Sequence, residues 1–178
     1  HDRDKIIIIG HSMGGLVGLS LATGWFGLNI IGMIVIGTII KWSSDETDRY
    51  SALAKKPIRW FNNRDQALER FLKVSGLFGL VSPESSQATS GIVEKNGKYR
   101  LAADSATGTI GGPWMSSLIN IVNCPLILAA GEHDPIVACE HYKSFNKDVV
   151  MIPNVAHNAH VEDPTAIAGL INKLNKKF

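Results

Sequence analysis

Cysteine is scarce in this sequence, whose 178 residues include two, Cys124 and Cys139. Two cysteines make no disulfide framework and show no metal-ligand spacing, so we expect reduced cysteines, no metal site and a cytoplasmic location. The sequence also lacks a large excess of charge of either sign, because 18 basic and 16 acidic residues leave a formal net charge of +2. The short basic stretch at residues 173–177 suits the end of a helix, and no nucleic-acid or anionic-membrane surface is indicated.

Long apolar runs are also missing. The longest, residues 28–40, is interrupted by Asn29, Gly32 and Gly37, and it is shorter than the ~20 residues that a membrane-spanning helix needs. A polar start followed by an apolar run that ends at Gly10 does not fit a signal peptide. With 45% hydrophobic and 19% charged residues, the chain has the profile of a globular domain with its own core. The oligomeric state stays open.

Apolar runs typical of buried strands alternate with helical patterns at both ends of the chain. Strands are expected at residues 6–9, 30–36, 125–130 and 149–152, and helices at residues 13–23 and 138–145. Strand–helix–strand crossovers make neighbouring strands parallel. The sequence therefore predicts an α/β fold with a parallel sheet. A last helix follows, with Asp163 as its N-cap and Pro164 as its first residue.

Residues 42–115 interrupt this alternation and are predicted to be an insertion. Polar stretches alternate there with short apolar pieces. Asp65 is expected to cap a helix. The pair Asn96-Gly97, between two short strand-like runs, indicates a β-hairpin with a type I′ turn. The insertion leaves residues 1–41 and 116–178 for the core.

The segment Gly10-His11-Ser12-Met13-Gly14 lies directly between the first strand and the first helix. A Gly-x-Ser-x-Gly segment in this context is typical of a nucleophile elbow, a turn too sharp for side chains beside the serine. The next helix points its N-terminus at the serine, so that the Met13 N–H can stabilise an oxyanion. A phosphate-binding turn is the alternative, but no lysine follows as in a P-loop and the Rossmann glycine spacing is absent.

A serine hydroxyl becomes a nucleophile when a base takes its proton and a carboxylate orients that base. Asp134 follows the third strand and His157 follows the fourth. Since the carboxyl ends of parallel strands meet at one rim of the sheet, Ser12, Asp134 and His157 are predicted to converge. His160 is the rival base, and together with His157 it lacks the third ligand that a metal site would need.

Other residues compete for roles beside the predicted acid. Glu132 lies two residues closer to the strand than Asp134 and is expected to point elsewhere, while Asp163 is explained as a helix cap. His11 and His133 flank the predicted catalytic positions. Packing or loop hydrogen bonding is the favoured role for both histidines, and substrate contact is the alternative.

Three segments in order resemble the catalytic blocks of the α/β-hydrolase superfamily, in particular its serine esterase and lipase-like branch with a cap. They are GHSMGG at residues 10–15, GEHDPIV at residues 131–137 and VAHNAHVEDP at residues 155–164. The resemblance covers essentially the whole chain and implies Ser12 as nucleophile, Asp134 as acid and His157 as base, with no cofactor. Ala156 stands where many relatives have glycine, which tightens the loop but keeps the base.

By the same resemblance, residues 42–115 correspond to a mobile cap. The earlier strands of the family would precede His1, so the sheet seen here would be the C-terminal half of the fold. A missing segment of a longer chain would then cover the apolar strand at residues 6–9, which otherwise presents an unpaired edge. That segment would also supply a His-Gly-type loop with the second N–H of the oxyanion hole.

The leading hypothesis is a hydrolase of carboxylic esters or similar small acyl substrates that works through an acyl-enzyme on Ser12. A serine at position 12 argues against the related haloalkane dehalogenases and epoxide hydrolases, which carry an aspartate there. Serine-triad carbon–carbon bond hydrolases and cofactor-free haloperoxidases stay open. So does a non-catalytic small-ligand-binding protein on the same fold. The expected partner is a small molecule, with no nucleic acid and no membrane.

Overall fold

A computed structural model describes residues 4–178. Its elements are, in chain order, β1 (Ile6–His11), α1 (Met13–Leu21), β2 (Ile30–Ile36), α2 (Ser44–Ala54), α3 (Arg64–Val74), α4 (Ser86–Thr89), β3 (Ile92–Lys95), β4 (Lys98–Leu101), a 3₁₀ helix (Ser105–Thr109), α5 (Met115–Ile121), β5 (Leu126–Gly131), a second 3₁₀ helix (Cys139–Phe145), β6 (Asp148–Ile152), α6 (Ala159–Glu162) and α7 (Pro164–Asn175). They form two compact units, of which the second is Ser44–Ile110. The role of the insertion as a cap stays a prediction.

Four strands of the first unit form a parallel sheet in the order β1-β2-β5-β6. The central strand β5 is buried along its whole length, and β2 is buried from Gly32 onward. Continuous apolar runs of this kind are typical of parallel strands that are covered on both faces. The α/β fold with a parallel sheet, which the sequence predicts, is confirmed.

Apolar side chains pack against both faces of this sheet. Met33 and Ile34 are neighbours on β2 and enter opposite clusters, because successive side chains of a strand alternate between its faces. One cluster lies under α1, α5 and the second 3₁₀ helix, and its fully buried members include Leu19, Ile119, Leu128 and Tyr142. The other lies under α7 and includes Ile127, Leu170 and Leu174.

Helix α7 starts as its sequence predicts. The Asp163 Oδ1 atom accepts a hydrogen bond from the Ala166 N–H at an O···N distance of 2.9 Å, and Pro164 is the first helical residue. Asp163 thus satisfies one of the N–H groups that a helix start leaves unpaired. The predicted N-cap is confirmed.

The outer side of β1 is an open edge of the sheet. Within residues 4–178 β1 pairs with β2 alone, and Ile9 leaves 42% of its surface exposed. The adjoining helix α1 also carries exposed apolar side chains, since Met13 and Val17 are about half exposed. Apolar surface next to unpaired strand groups is a template for further pairing.

The second unit has a small core of its own. Leu68 and Leu72 of α3 are buried together with Ala88 of α4. Strands β3 and β4 pair in antiparallel fashion, and Asn96 and Gly97 between them have φ angles of 54° and 72°. Positive φ at both central residues is what a type I′ turn requires, so the predicted hairpin is confirmed.

The N-cap of α3 differs from its prediction. The Asn63 Oδ1 atom accepts hydrogen bonds from the N–H groups of Asp65 and Gln66, at O···N distances of 2.7 and 3.4 Å. The prediction that Asp65 caps this helix is therefore wrong. Asp65 lies in the first turn, where its negative charge complements the helix dipole.

Both cysteines are free, with Cys139 buried and Cys124 partly buried. Burial raises the pKa of both thiols. Both are therefore protonated near neutral pH. Among the helices described for residues 4–178, none is long and apolar enough to cross a membrane.

Candidate active site

Ser12 stands on the turn between β1 and α1 in an unusual backbone conformation, with φ 51° and ψ −121°. Two contacts fix it there. The Ser12 N–H donates to the Ile36 carbonyl oxygen at an N···O distance of 2.8 Å, and the Thr38 hydroxyl donates to the Ser12 carbonyl oxygen at an O···O distance of 2.7 Å. A positive φ at a residue with a side chain is strained, and its surroundings must enforce it. The end of β2 therefore holds the elbow in shape.

The three glycines around Ser12 do not have equal roles. A Cβ atom on Gly10 would lie 2.5 Å from the Gly14 carbonyl oxygen, and one on Gly15 would lie 2.1 Å from the Thr38 hydroxyl oxygen. A Cβ on Gly14 would meet no atom of the described residues within 4 Å. The expectation that the sharp turn excludes side chains at both glycines of the motif is thus met at Gly10 and wrong at Gly14.

Asp134 follows the end of β5, and its side chain has no exposed surface. Its Oδ1 atom accepts hydrogen bonds from the N–H groups of Ile136 and Val137, at O···N distances of 2.8 and 3.2 Å. Burial would raise the pKa of Asp134, but hydrogen bonds from the His157 ring and from these N–H groups outweigh it and hold the pKa below its usual value. Asp134 is therefore an anion at neutral pH.

The ring of His157 is in contact with that carboxylate. The Nδ1 atom of His157 lies 3.0 Å from Asp134 Oδ2, and the ring is 13% exposed. Since an ionised carboxylate can accept but not donate, Nδ1 carries the proton. In the neutral ring the Nε2 atom is then free of hydrogen and can accept a proton. The loop after β6 thus carries an imidazole that is able to accept a proton.

Ser12 lies on the loop next to this pair. Gly37, which follows β2, packs against Asp134 and His157, because a Cβ atom on it would lie 3.0 Å from Asp134 Oδ2 and 3.2 Å from His157 Nδ1. The preceding residue, Ile36, accepts the Ser12 N–H. Segments that follow all four strands of the sheet therefore meet at one rim. Within residues 4–178 the Ser12 hydroxyl forms no hydrogen bond to His157.

Met13, the predicted oxyanion donor, is the first residue of α1. The first N–H groups of a helix have no acceptor inside the helix and carry its positive dipole end. The Met13 N–H is thus available beside Ser12. The described residues contain no group of three or more side chains that could hold a metal ion.

Two further side chains contact the backbone around His157. His11 Nε2 lies 2.8 Å from the His157 carbonyl oxygen, and Glu162 Oε2 accepts the Ala156 N–H at an O···N distance of 2.7 Å. The His160 ring packs against His11 with a centroid distance of 4.4 Å. For His11 the loop hydrogen bond favoured by the sequence is found. Glu162 was missed, because no local pattern connects it with Ala156.

Glu132 also contacts this loop. Its Oε2 atom accepts the Asn154 N–H at an O···N distance of 2.9 Å, so the carboxylate points away from His157, as expected. His133 is exposed. Gly131 permits the close approach of the loop, since a Cβ atom on it would lie 2.1 Å from the Ala156 carbonyl oxygen.

The sequence matches a family model described as the alpha/beta hydrolase family over residues 1–170. A search among curated protein sequences found no match. Solved structures with the same fold include E-2-(acetamidomethylene)succinate hydrolase, with a TM-score of 0.73 at 18% identity over 98% of this chain and 68% of that one.

Two other similar structures carry names of acyl-group enzymes. The thioesterase domain from the curacin biosynthetic pathway has a TM-score of 0.69 at 18% identity, over 94% of this chain and 64% of that one. A thermophilic esterase from Thermogutta terrifontis has a TM-score of 0.61 at 18% identity, over 97% of this chain and 65% of that one. The chain thus spans about two thirds of the length of these structures. At such identities the likeness shows the fold.

Proposed function

Because the chain belongs to the alpha/beta hydrolase family, we propose that it is a serine hydrolase that cleaves carboxylic esters or similar small acyl compounds through an acyl-enzyme on Ser12. The observation that carries this proposal is the hydrogen bond between His157 Nδ1 and Asp134 Oδ2, 3.0 Å long and beside a strained serine. A base oriented by a buried carboxylate next to a half-buried serine on a sharp turn is the arrangement that activates a hydroxyl.

In the proposed mechanism the Ser12 hydroxyl gives its proton to His157 Nε2 while its oxygen bonds to the acyl carbon of the substrate. The carbonyl oxygen becomes an oxyanion, which the Met13 N–H stabilises at the start of α1. Collapse of this intermediate expels the alcohol, which takes the proton from His157. Water then attacks the acyl-enzyme and gives a proton to His157. When this second intermediate collapses, the Ser12 oxygen takes that proton back from His157 and the acid is released.

This mechanism requires a movement of the serine side chain. The Ser12 hydroxyl has no hydrogen bond to His157 within residues 4–178, so its oxygen must turn toward Nε2 when substrate binds. Such contacts are commonly looser before substrate is present. Asp134 supports the reaction electrostatically, because an anion beside Nδ1 stabilises the protonated ring that forms.

The proposal predicts that hydrolysis depends on Ser12. Rates on p-nitrophenyl acetate and p-nitrophenyl butyrate are measured for the wild type, Ser12→Ala and the control Ser117→Ala, which removes an exposed hydroxyl on α5. We expect Ser12→Ala to lower kcat/KM by ~10³-fold or more, because the nucleophile is lost. Ser117→Ala should retain the wild-type rate. Mass spectrometry after treatment with a fluorophosphonate should show one adduct on Ser12.

Equal hydrolysis by the wild type and Ser12→Ala would contradict the serine mechanism. A non-catalytic small-ligand-binding protein is the second candidate, favoured by the absence of a Ser12–His157 hydrogen bond among the described residues. It predicts no Ser12-dependent hydrolysis and no fluorophosphonate adduct. The two assays together therefore distinguish the candidates.

A further inference from the structure

The main chain at His157 is held from both sides by side chains of other elements. On one side the His157 carbonyl oxygen lies 2.8 Å from Nε2 of His11, the last residue of β1. On the other side the Ala156 N–H donates to Oε2 of Glu162, the last residue of α6, at an N···O distance of 2.7 Å. The first contact holds the peptide group that follows the Cα atom of His157, and the second holds the Val155–Ala156 peptide, one residue before the peptide that precedes His157.

We propose that His11 and Glu162 are positioning residues that fix the main chain just after and just before His157 and so aim its ring at Asp134 and Ser12. This inference rests on the proposed function, in which His157 is the base. Anchoring the main chain within one residue on either side of His157 restricts the direction of its Cα–Cβ bond, and hence where the ring can reach. A catalytic group that is misplaced by about 1 Å loses rate by up to ~10²-fold.

His11 can serve this role only as a donor through Nε2. Its acceptor is a carbonyl oxygen, so Nε2 carries a proton. Burial, together with the nearby rings of His157 and His160, lowers the pKa of His11 to about 4. The ring is therefore neutral near pH 7, with Nδ1 unprotonated. The His157 and His160 rings, at centroid distances of 4.7 and 4.4 Å, keep the His11 ring in place.

Glu162 is an unusual acceptor for a loop amide. Its Oε2 atom takes the Ala156 N–H, whereas Oε1 is buried without a hydrogen-bond partner among residues 4–178. Burying an unpaired carboxylate oxygen is unfavourable. A carboxylate nevertheless makes a stronger bond to an N–H than a neutral acceptor does. The hydrogen bond from the Ala156 N–H to a carboxylate therefore holds the loop that carries His157 more firmly than a bond to a neutral side chain would. This is a physical reason for a glutamate at position 162.

The test uses pairs of variants that keep or remove each hydrogen bond. His11→Gln keeps an N–H donor at about the same reach, and Glu162→Gln keeps an oxygen acceptor, whereas His11→Met and Glu162→Met remove them. His141→Gln, on an exposed histidine of the second 3₁₀ helix, is the control. We expect the two methionine variants to lower kcat for p-nitrophenyl butyrate by ~10–100-fold with KM changed by less than about twofold. The glutamine variants should keep at least about a third of kcat.

A second readout reports on His157 without any reaction. The Nδ1 proton that His157 shares with Asp134 gives a downfield proton resonance, which should persist in the glutamine variants and broaden or vanish in the methionine variants. Activity is expressed per serine titrated by fluorophosphonate, so that unfolded protein does not count. His11→Phe, which keeps an aromatic ring without the donor, replaces His11→Met if that variant does not fold.

The outcomes separate this inference from the proposed function. Methionine variants with wild-type kcat and an unchanged Nδ1 resonance would overturn the positioning roles. Equal losses in the glutamine and methionine variants would overturn them as well, since the hydrogen bonds would then be irrelevant. A wild type without Ser12-dependent hydrolysis, but with the expected resonance pattern, would refute the proposed function and leave the positioning of His157 intact.

Discussion

Backbone strain at Ser12 is the residue-scale feature on which the proposed chemistry depends. A φ of 51° with ψ −121° lies outside the regions that a residue with a side chain prefers, at a cost of ~1–3 kcal/mol. Ile36 and Thr38 hold both polar groups of the Ser12 backbone. The strained conformation persists because these neighbours stabilise it. In this conformation the Ser12 side chain projects out of the turn between strand and helix.

The two motif glycines provide a prediction at this scale. Gly10→Ala should destabilise the protein by more than about 2 kcal/mol, because its Cβ would press on the Gly14 carbonyl group. Gly14→Ala should be neutral or stabilise by up to ~1 kcal/mol, because the position is open, lies in α1, and alanine favours a helix. Urea unfolding followed by circular dichroism measures both. Equal losses of stability would show that the elbow is packed differently from this structure.

At the scale of elements, one tyrosine ties the second 3₁₀ helix to the end of β2. The Tyr142 hydroxyl donates to the Thr38 carbonyl oxygen and accepts from the Thr38 N–H, at distances of 2.8 and 2.9 Å, in a fully buried setting. Burial raises the pKa of Tyr142 far above its usual value, so the hydroxyl stays protonated. Thr38 in turn holds Ser12, which makes this link a support for the elbow.

Removing this hydroxyl tests the link. Tyr142→Phe should lower the free energy of unfolding by about 2–4 kcal/mol, because two buried backbone groups of Thr38 lose their partner. The matched control is Tyr99→Phe in β4, where the hydroxyl forms no hydrogen bond within residues 4–178, and it should change stability by less than about 0.5 kcal/mol. Urea titrations give both values. A Tyr142→Phe variant with an unchanged free energy of unfolding would show that the Tyr142 hydroxyl does not support the turn at Ser12.

Elements with a strong apolar pattern could be predicted from the sequence, and those without one could not. The bounds of β2, β3 and β4 follow directly from their patterns and turns. Helix α2 was missed because it buries no residue and so has no apolar stripe. The cap of α3 was misplaced because asparagine and aspartate are equally good N-caps and only the coordinates separate them.

In the candidate site, too, some contacts could be predicted from the sequence and others could not. The contact between Asp134 and His157 could be predicted, since each follows a neighbouring parallel strand. The catalytic roles of Ser12, Asp134, His157 and Met13 stay predictions. The supports could not be predicted, because contacts such as Tyr142 with Thr38 depend on packing between segments 104 positions apart.

For the molecule as a whole, the open edge of β1 is a place where another chain could pair with the sheet. The other outer strand, β6, has an ion pair between Asp148 and Lys177 beside it, whereas β1 has no charged residue between Ile6 and Gly10. Charged side chains on an edge prevent pairing with other chains. Apolar β1, with Ile9 exposed, has no such protection.

We therefore expect residues 1–178, expressed alone, to self-associate, and Ile9→Lys to reduce this. A lysine on the open edge keeps its charge in water and opposes strand addition. The control is Val93→Lys, a similarly exposed position on the hairpin of the second unit. Light scattering after size-exclusion chromatography measures the mean mass over a concentration series. An equal effect of both substitutions would mean that added charge, and not the β1 edge, controls association.

Because the chain is synthesised from its N-terminus, the contact between His11 and His157 can form only some time after His11 has been made. The two residues lie 146 positions apart. At a synthesis rate of ~5–20 residues per second, roughly 7–30 s separate their appearance. Under the proposed function, a growing polypeptide that has not yet reached His157 would carry the serine turn without its proposed base and would be inert toward esters.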